Sequence, residues 1–181
     1  DGDGIPEKYL TRSMSFGSDR HYEQWELGSF GAGLKDSTLA QASEITIISK
    51  VENEKAHSRR LSAAVVAEKE AWTLLNENDI SALGWDRTEP MEFAHLLIEE
   101  RSKGSILILE DMHSLEDNLV GEAGDDASYR SDIDEWIKHY LGLIYHRYID
   151  GVKIGPRIPE KPLNIFINPA GDGSDDLSLI H

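Results

Sequence analysis

The sequence predicts an α+β fold, a two-layer α/β sandwich in which a mostly antiparallel mixed sheet carries helices on one face. Two observations support this class. The predicted strands cluster along the chain instead of alternating with helices, which disfavours a doubly wound parallel sheet. The predicted helices have one apolar face each, and such a face needs a sheet or another helix to cover it.

Hydrophobic periodicity and turn residues predict the first elements. Residues 6–14 are predicted to form a short helix, because proline suits the first turn of a helix. Residues 34–42 indicate a second helix, and residues 44–50, a run rich in isoleucine, indicate a strand. Two further strands, at 61–68 and 71–75, are predicted to pair with each other.

The middle of the chain is predicted to mix irregular segments with regular ones. Residues 52–60 are predicted to form a charged turn, and residues 76–89 an irregular segment with Trp85 as an anchor. Residues 104–111 form the most apolar predicted strand. Residues 91–101 are predicted to form a helix, and the residues expected on its apolar face are Phe93, Leu96 and Leu97.

The remaining segments indicate the domain organisation. Residues 131–148 form the longest predicted helix, with apolar side chains at helical spacing. We expect one domain at residues 1–150 and a linker rich in glycine and proline at 151–162. Residues 163–181 are expected to be either the start of a further domain or a tail.

The composition limits the classes of partner. The chain has 181 residues, with 18 basic and 34 acidic side chains, so its formal net charge is −16. A surface this acidic repels phosphate-rich partners, which predicts no direct binding of nucleic acid or of a membrane. The chain has no cysteine, which excludes disulfides and agrees with a cytoplasmic location.

The most informative motif is the run Gly28-Ser29-Phe30-Gly31-Ala32-Gly33-Leu34-Lys35, a G-x-x-G-x-G loop that leads directly into a predicted helix. Glycines let the backbone approach an anion, and the first N–H groups of a helix have no internal partner. Together these features predict a phosphate site. The order of loop, helix and strand differs from a Rossmann motif, and the Gly-Lys-Ser/Thr of a P-loop is missing.

Three motifs occur in a characteristic order. An acidic glycine turn at residues 1–6 precedes the glycine loop, and Gly104-Ser105 precedes a late strand. This order resembles the GHKL ATPases, the superfamily of DNA gyrase B, heat-shock chaperone ATPases, mismatch-repair MutL and sensor histidine kinases. Ser15-Phe16-Gly17-Ser18, upstream of the glycine loop, makes the chain most similar to the microrchidia (MORC)-like and chaperone-like branches.

The resemblance implies an ATP site with Mg²⁺ in a Bergerat-type fold. Gly2 and Gly4 match the glycines of the family's D-x-G-x-G motif, and Asp1 occupies its first variable position. The family's adenine-reading aspartate would then stand one residue before Asp1. Lys35 would approach a phosphate, and the hydroxyl of Ser105 would hold that aspartate and a water molecule. The cofactor-binding residues implied are Asp1, Gly2, Gly4, Gly28, Gly31, Gly33, Lys35 and Ser105.

The family's catalytic glutamate and its Mg²⁺-binding asparagine lie on a helix that precedes the D-x-G-x-G motif. We therefore expect the chain to be a fragment truncated at its N-terminus, with catalytic residues that cannot be assigned to this sequence. The intact protein is expected to hydrolyse ATP, whereas this fragment is expected to be inactive. By the same resemblance, residues 163–181 could begin a transducer-like domain.

Other motifs are candidate binding or catalytic sites. Asp1-Gly2-Asp3-Gly4 also resembles the start of a calcium loop, but Ile5 stands where a third oxygen ligand is expected. The seven histidines form no H-x-H or H-x-x-x-H pair, so no metal site is predicted. The charged residues that end the late strand are interpreted as solvated surface, and they are Glu110, Asp111 and His113.

Two functional hypotheses follow. The first is an ATP-dependent switch, in which the glycine loop closes as a lid over ATP and the protein dimerises. The second is a degenerate GHKL domain that acts as a non-catalytic protein-interaction module. The intact glycine loop, Lys35 and Ser105 favour the first hypothesis.

Overall fold

The computed structural model describes residues 2–15 and 33–113, together with short pieces at 139–141, 145, 149–150, 165–167 and 178–180. The chain divides into two compact units, Asp1–Asn118 and Leu119–His181. Four predicted segments lie wholly or largely outside the described residues: the glycine loop up to residue 32, the long helix at 131–148, the linker at 151–162 and the segment at 163–181.

The first unit is built on a four-stranded antiparallel sheet with the strand order β3-β2-β1-β4. Its strands are β1 (Ala42–Lys50), β2 (His57–Ser62), β3 (Leu74–Leu75) and β4 (Gly104–Met112). Strand β1 pairs with β2 on one side and with β4 on the other. It is therefore an inner strand of the sheet and takes part in both of the longest pairings. The predicted α+β class and the antiparallel sheet are confirmed.

Five α-helices accompany this sheet within the described part of the first unit. They are α1 (Glu7–Ser13), α2 (Gly33–Leu39), α3 (Ala63–Lys69), α4 (Glu77–Ala82) and α5 (Glu89–Glu99), with a short 3₁₀ turn at Trp85–Arg87. Among the helices that the structure describes, none combines the length and the apolar composition needed to cross a membrane.

In the described part of the first unit, the core consists of two apolar clusters on opposite faces of the sheet. Ile47 and Ile48 are adjacent in β1 and belong to different clusters, because successive side chains of a strand point to opposite faces. Leu10 of α1 packs with Ile47, and Ile98 of α5 packs with Ile48. The sequence predicts the helices on one face of the sheet. The structure differs in this point, because α4 and α5 cover the face opposite to α1.

The strand predicted at residues 61–68 is wrong beyond Ser62, where α3 begins. The side chain of Ser62 accepts a hydrogen bond from the N–H of Val65, at 3.3 Å, and so caps the helix. The adjacent β-branched residues Val65 and Val66 suggested a strand, but each packs against a different core cluster. The predicted pairing with residues 71–75 is confirmed over a short stretch only, in which Leu61 of β2 lies opposite Leu74 of β3.

The segment predicted to be irregular at residues 76–89 contains α4 and the 3₁₀ turn. Asn76 and Asp79 form a capping box, in which each side chain accepts a hydrogen bond from the backbone N–H of the other. This reciprocal pattern uses Asp in place of the usual Glu or Gln, and for that reason it was missed. Trp85, predicted as an anchor, does pack against the core.

The predicted face of α5 is also wrong. Met91, Ala94 and Ile98 are buried, whereas Phe93 is 62% exposed and Leu96 is 64% exposed. Both sets follow helical spacing, so periodicity alone could not decide which set faces the sheet.

The charged turn predicted at residues 52–60 ends earlier, because His57–Ser62 forms β2. Arg60 is buried and its guanidinium lies 4.5 Å from the ring centre of Trp85. It also donates hydrogen bonds to Glu44 (3.2 Å) and to Glu110. Arg60 can be buried because two carboxylates and an aromatic face replace its hydration.

In the second unit the structure describes a two-stranded antiparallel pair, β5 (Ile165–Ile167) and β6 (Ser178–Ile180). Strand β5 lies within residues 163–168, for which the sequence predicts a last strand. The predicted domain boundaries themselves stay a prediction. Residues 139–141 and 145 are helical, in agreement with the long helix predicted there.

The corrected face of α5 predicts a contrast between two substitutions. Ile98→Ala should lower the free energy of unfolding by about 2–5 kcal/mol, because it leaves a cavity against β1. Phe93→Ala should change it by about 0.5 kcal/mol or less, because that ring faces solvent. Urea denaturation followed by circular dichroism measures both. Equal losses for the two variants would contradict the assignment of the buried face.

Candidate functional site

The turn at the start of the chain packs tightly against the end of β1. Gly4 has a φ of +76°, a left-handed conformation that favours glycine. A Cβ atom at this position would lie 2.0 Å from the carbonyl oxygen of Lys50. The second glycine of the predicted adenine-side motif is therefore required by its backbone conformation and by its neighbour. At Gly2 a Cβ atom would meet nothing within 4 Å.

A buried hydroxyl joins this turn to the start of β4. The side-chain oxygen of Ser49, a residue only 1% exposed, accepts a hydrogen bond from the N–H of Ile5 at 2.6 Å. The same oxygen lies 2.7 Å from the hydroxyl oxygen of Ser105 and 3.2 Å from the carbonyl oxygen of Gly104. The predicted site residues Gly4 and Ser105, far apart in the sequence, thus come together through Ser49.

An ion pair links the same two segments at the surface. The ammonium group of Lys103 lies 2.6 Å from a carboxylate oxygen of Asp3. Its hydrogen bond and its positive charge lower the pKa of Asp3 below the ordinary value. The Asp3 side chain is 93% exposed, so this pair contributes little to stability. It places positive charge beside the turn.

Lys35 lies in the first half of α2, and its residue is only 4% exposed. Its ammonium group donates a hydrogen bond to the carbonyl oxygen of Ser13, at 3.2 Å, in the last turn of α1. The indole N–H of Trp72 donates to the next carbonyl, that of Met14, also at 3.2 Å. Both carbonyls belong to the end of a helix, where the helix itself supplies no backbone donor and positive charge is favourable.

The structure brings some of the predicted site residues together and leaves others undecided. It joins the turn that contains Gly4 to Ser105, through the N–H of Ile5 and the hydroxyl of Ser49, and places Gly33 as the first residue of α2. Asp1, Gly28 and Gly31 lie outside the described residues. Sequence reasoning missed Ser49, although one signal was present: a serine in a strand otherwise rich in isoleucine is a polar side chain at a buried position.

A second group of titratable side chains joins α1, β2 and α4. One ligand atom each from Glu7, His57 and Glu77 lies within 4.8 Å of the others. The guanidinium of Arg59 approaches both carboxylates, at 3.5 Å from Glu7 and 3.3 Å from Glu77. A cation here would have to displace this positive charge, so we interpret the group as an ion-pair network.

The end of β4 has a structural role in the described chain. Glu110 pairs with Arg60, as described above. His113 donates its backbone N–H to the carbonyl of Gln41 at 2.7 Å, and its Nε2 lies 3.2 Å from the carbonyl oxygen of Leu39. These contacts join β4 to the end of α2.

The comparison with known protein families agrees with this architecture. A family described as histidine kinase-, DNA gyrase B- and HSP90-like ATPase matches residues 1–92, which is half of the chain. The chain belongs to this family, and its first unit is an ATPase-type nucleotide-binding domain of α+β class. The chain matches no curated protein.

The close contact at Gly4 predicts a specific loss of stability. Gly4→Ala should lower the free energy of unfolding by at least about 1–2 kcal/mol, which is the cost of the left-handed conformation alone. The clash with the Lys50 carbonyl adds to this loss. Gly2→Ala is the matched control and should be close to neutral, as measured by urea denaturation. A neutral Gly4→Ala would contradict the packing of the turn.

Glu77 predicts a pH-dependent term in stability. Burial raises the pKa of Glu77, but hydrogen bonds from backbone N–H groups, the charge of Arg59 and the His57 contact outweigh burial, so the net pKa lies below the ordinary 4.5. A carboxyl with a lowered pKa stabilises the fold above about pH 4.5 and loses this contribution as the pH falls below it.

Glu77→Gln should therefore lower the free energy of unfolding at pH 7 by about 1 kcal/mol, a modest value because the side chain is 40% exposed. The difference from the unsubstituted chain should shrink towards pH 3. Thermal unfolding between pH 3 and pH 7 measures this, with Glu52→Gln in an exposed turn as the control. A difference that is independent of pH would contradict the assigned charge interactions.

Proposed function

We propose that this chain is part of the ATP-binding and ATP-hydrolysing domain of a GHKL-type protein, most similar to the MORC-like and chaperone-like branches. ATP binding would close a lid over the nucleotide, and the closed form would dimerise. The family match supports ATP binding. The cytoplasm is the proposed location, on the grounds that the sequence has no cysteine.

The observation that carries this proposal is the junction of the Gly4 turn with Ser105. The resemblance assigns the first to the adenine side of an ATP site and the second to the hydroxyl that assists there. Ser105 is exposed, so a ligand can reach its hydroxyl, while Ser49 holds that hydroxyl from within. An anchored hydroxyl beside a glycine turn fits the polar edge of a purine.

The phosphate side of the proposed site consists of the glycine loop and α2. Gly33 begins α2, and a Cβ atom there would meet nothing within 4 Å, so the backbone can be approached. Lys35 would supply the positive charge. Its ammonium group already holds the end of α1 through the Ser13 carbonyl and has three N–H donors, so a phosphate would share this group with α1 and pull on the contact. That shared contact would couple the nucleotide to the position of α1.

Mg²⁺ is the proposed metal cofactor of the intact protein, where it would supply positive charge to the phosphates. The group formed by Glu7, His57 and Glu77 does not suit this ion, because Mg²⁺ prefers an octahedral set of oxygen ligands. By the resemblance, the proposed Mg²⁺ ligand and the catalytic base belong to the helix that precedes the D-x-G-x-G motif in the family.

A second candidate function is a non-catalytic interaction module. The exposed side chains of Phe93 and Leu96 on α5 favour it, since solvent-facing aromatic and aliphatic groups suit a protein interface. In that case the glycine loop would be an architectural remnant.

A thermal-shift titration with ADP and Mg²⁺ tests the proposal, on this chain and on the natural full-length protein. At about 100 times its dissociation constant, a ligand that binds only the folded state adds about 2.7 kcal/mol. We expect stabilisation of the full-length protein. No shift in either form would contradict nucleotide binding and favour the interaction module.

The phosphate loop has its own variant. Gly31→Leu in the full-length protein should abolish the ADP-dependent shift without lowering the melting temperature of the nucleotide-free protein. The physical reason is that a side chain would keep the backbone N–H groups away from the phosphates. Unchanged affinity in this variant would remove the glycine loop from the site.

A further inference from the structure

We propose that Ser49 is a positioning residue of the nucleotide site, which holds the Ser105 hydroxyl and the Ile5 turn in place relative to each other and thereby supports the preference for a purine with an exocyclic amino group. The inference rests on the proposed ATP site. It concerns a residue to which neither the motifs nor the family match assigns a role.

The side chain of Ser49 lies in the interior of the first unit. It is 1% exposed and points to the face of the sheet that carries Ile45 and Ile47. A hydroxyl among isoleucines is costly to bury unless it is hydrogen-bonded. The hydroxyl of Ser49 has three neighbours within hydrogen-bond distance: the N–H of Ile5, the hydroxyl of Ser105 and the carbonyl of Gly104.

The Ser49 hydroxyl cannot donate to all of its neighbours at once. A hydroxyl has one proton to donate and two lone pairs to accept with. The N–H of Ile5 can only donate, so it occupies one lone pair of Ser49. The carbonyl of Gly104 can only accept. The single proton of Ser49 must therefore go either to Gly104 or to Ser105.

The direction of the hydrogen bond between the two serines decides whether Ser105 offers a donor or an acceptor to a ligand. When Ser49 donates to Gly104, Ser105 donates its proton inwards and presents only an acceptor to a ligand. When Ser49 donates to Ser105, the proton of Ser105 is released to donate outwards. The 2.7 Å contact between Ser49 and Ser105 is present in both arrangements, and only the second leaves Ser105 with a proton for a ligand. A carboxylate or a water that holds an amino group needs a donor, so it selects this arrangement.

Ser49 connects the Ile5 turn to Ser105. Because Ser49 also holds the N–H of Ile5 at 2.6 Å, one hydroxyl fixes the turn and Ser105 relative to each other. The two sides of the proposed base-reading site therefore cannot shift independently. Loss of the Ser49 hydroxyl would affect base recognition more than phosphate binding.

The experiment measures the dissociation constants of ADP and of inosine diphosphate, each with Mg²⁺, on the natural full-length protein. Inosine diphosphate carries a carbonyl where ADP has the amino group. Ser49→Ala should weaken ADP binding about tenfold, the loss expected for roughly one hydrogen bond. It should weaken inosine diphosphate binding much less, so the ratio of the two affinities should fall.

Four further variants support the test. Ser49→Cys replaces the hydroxyl with a weakly bonding thiol of similar shape and should also lower the ratio, even if the alanine variant does not fold. Ser49→Thr keeps a hydroxyl and should preserve the ratio. Ser58→Ala removes a buried serine on the opposite face of the sheet, and should leave both affinities unchanged. In a Ser105→Ala background, Ser49→Ala should no longer change the ratio.

The outcomes separate the two proposals. If the unsubstituted protein binds neither nucleotide, the proposed function fails and this inference fails with it. If it binds ADP but Ser49→Ala and Ser49→Cys weaken both nucleotides equally or not at all, the ATP site stands. In that case the positioning role of Ser49 is overturned.

Discussion

The pairing of β1 with β4 is the constraint on which the rest of the first unit depends. In this register Ser49 lies opposite Ser105 and Lys50 lies opposite Gly104. A slip of one residue would turn every side chain of β1 to the other face, because the side-chain period of a strand is two residues. Ser49 would then leave the Ile5 turn, and Ile48 would leave its cluster beneath α5. The same register therefore specifies both the core and the candidate site.

Polar contacts then connect the helices to this framework. Lys35 of α2 and Trp72, which precedes β3, donate hydrogen bonds to the last carbonyls of α1. Both segments therefore hold α1 in place. On the other face, Lys50 donates to the carbonyl of Glu99 at the end of α5, at 3.3 Å. Each contact supplies a donor where a helix runs out of its own. A ligand that shared Lys35 would pull on one of these connections.

Local patterns predicted the fold where one interpretation was physically favoured. The alternation of Ile45 and Ile47 with polar residues indicates a strand, and the confirmed helix after Pro6 starts where proline suits a first turn. Patterns failed where two interpretations were close. Val65 and Val66 have side chains that favour strands, yet they lie in α3 because Ser62 caps a helix there. The two faces of α5 are likewise both apolar enough to be chosen.

The sequence by itself determined the class of the fold, the family motifs and their order, since these depend on residue type and on spacing along the chain. Tertiary structure alone decided which residues meet. The contact between the Gly4 turn and Lys50, and the bridge from Ile5 through Ser49 to Ser105, join segments more than 40 residues apart. The physical reason is that strand register and helix packing, which bring distant groups together, depend on the whole core at once.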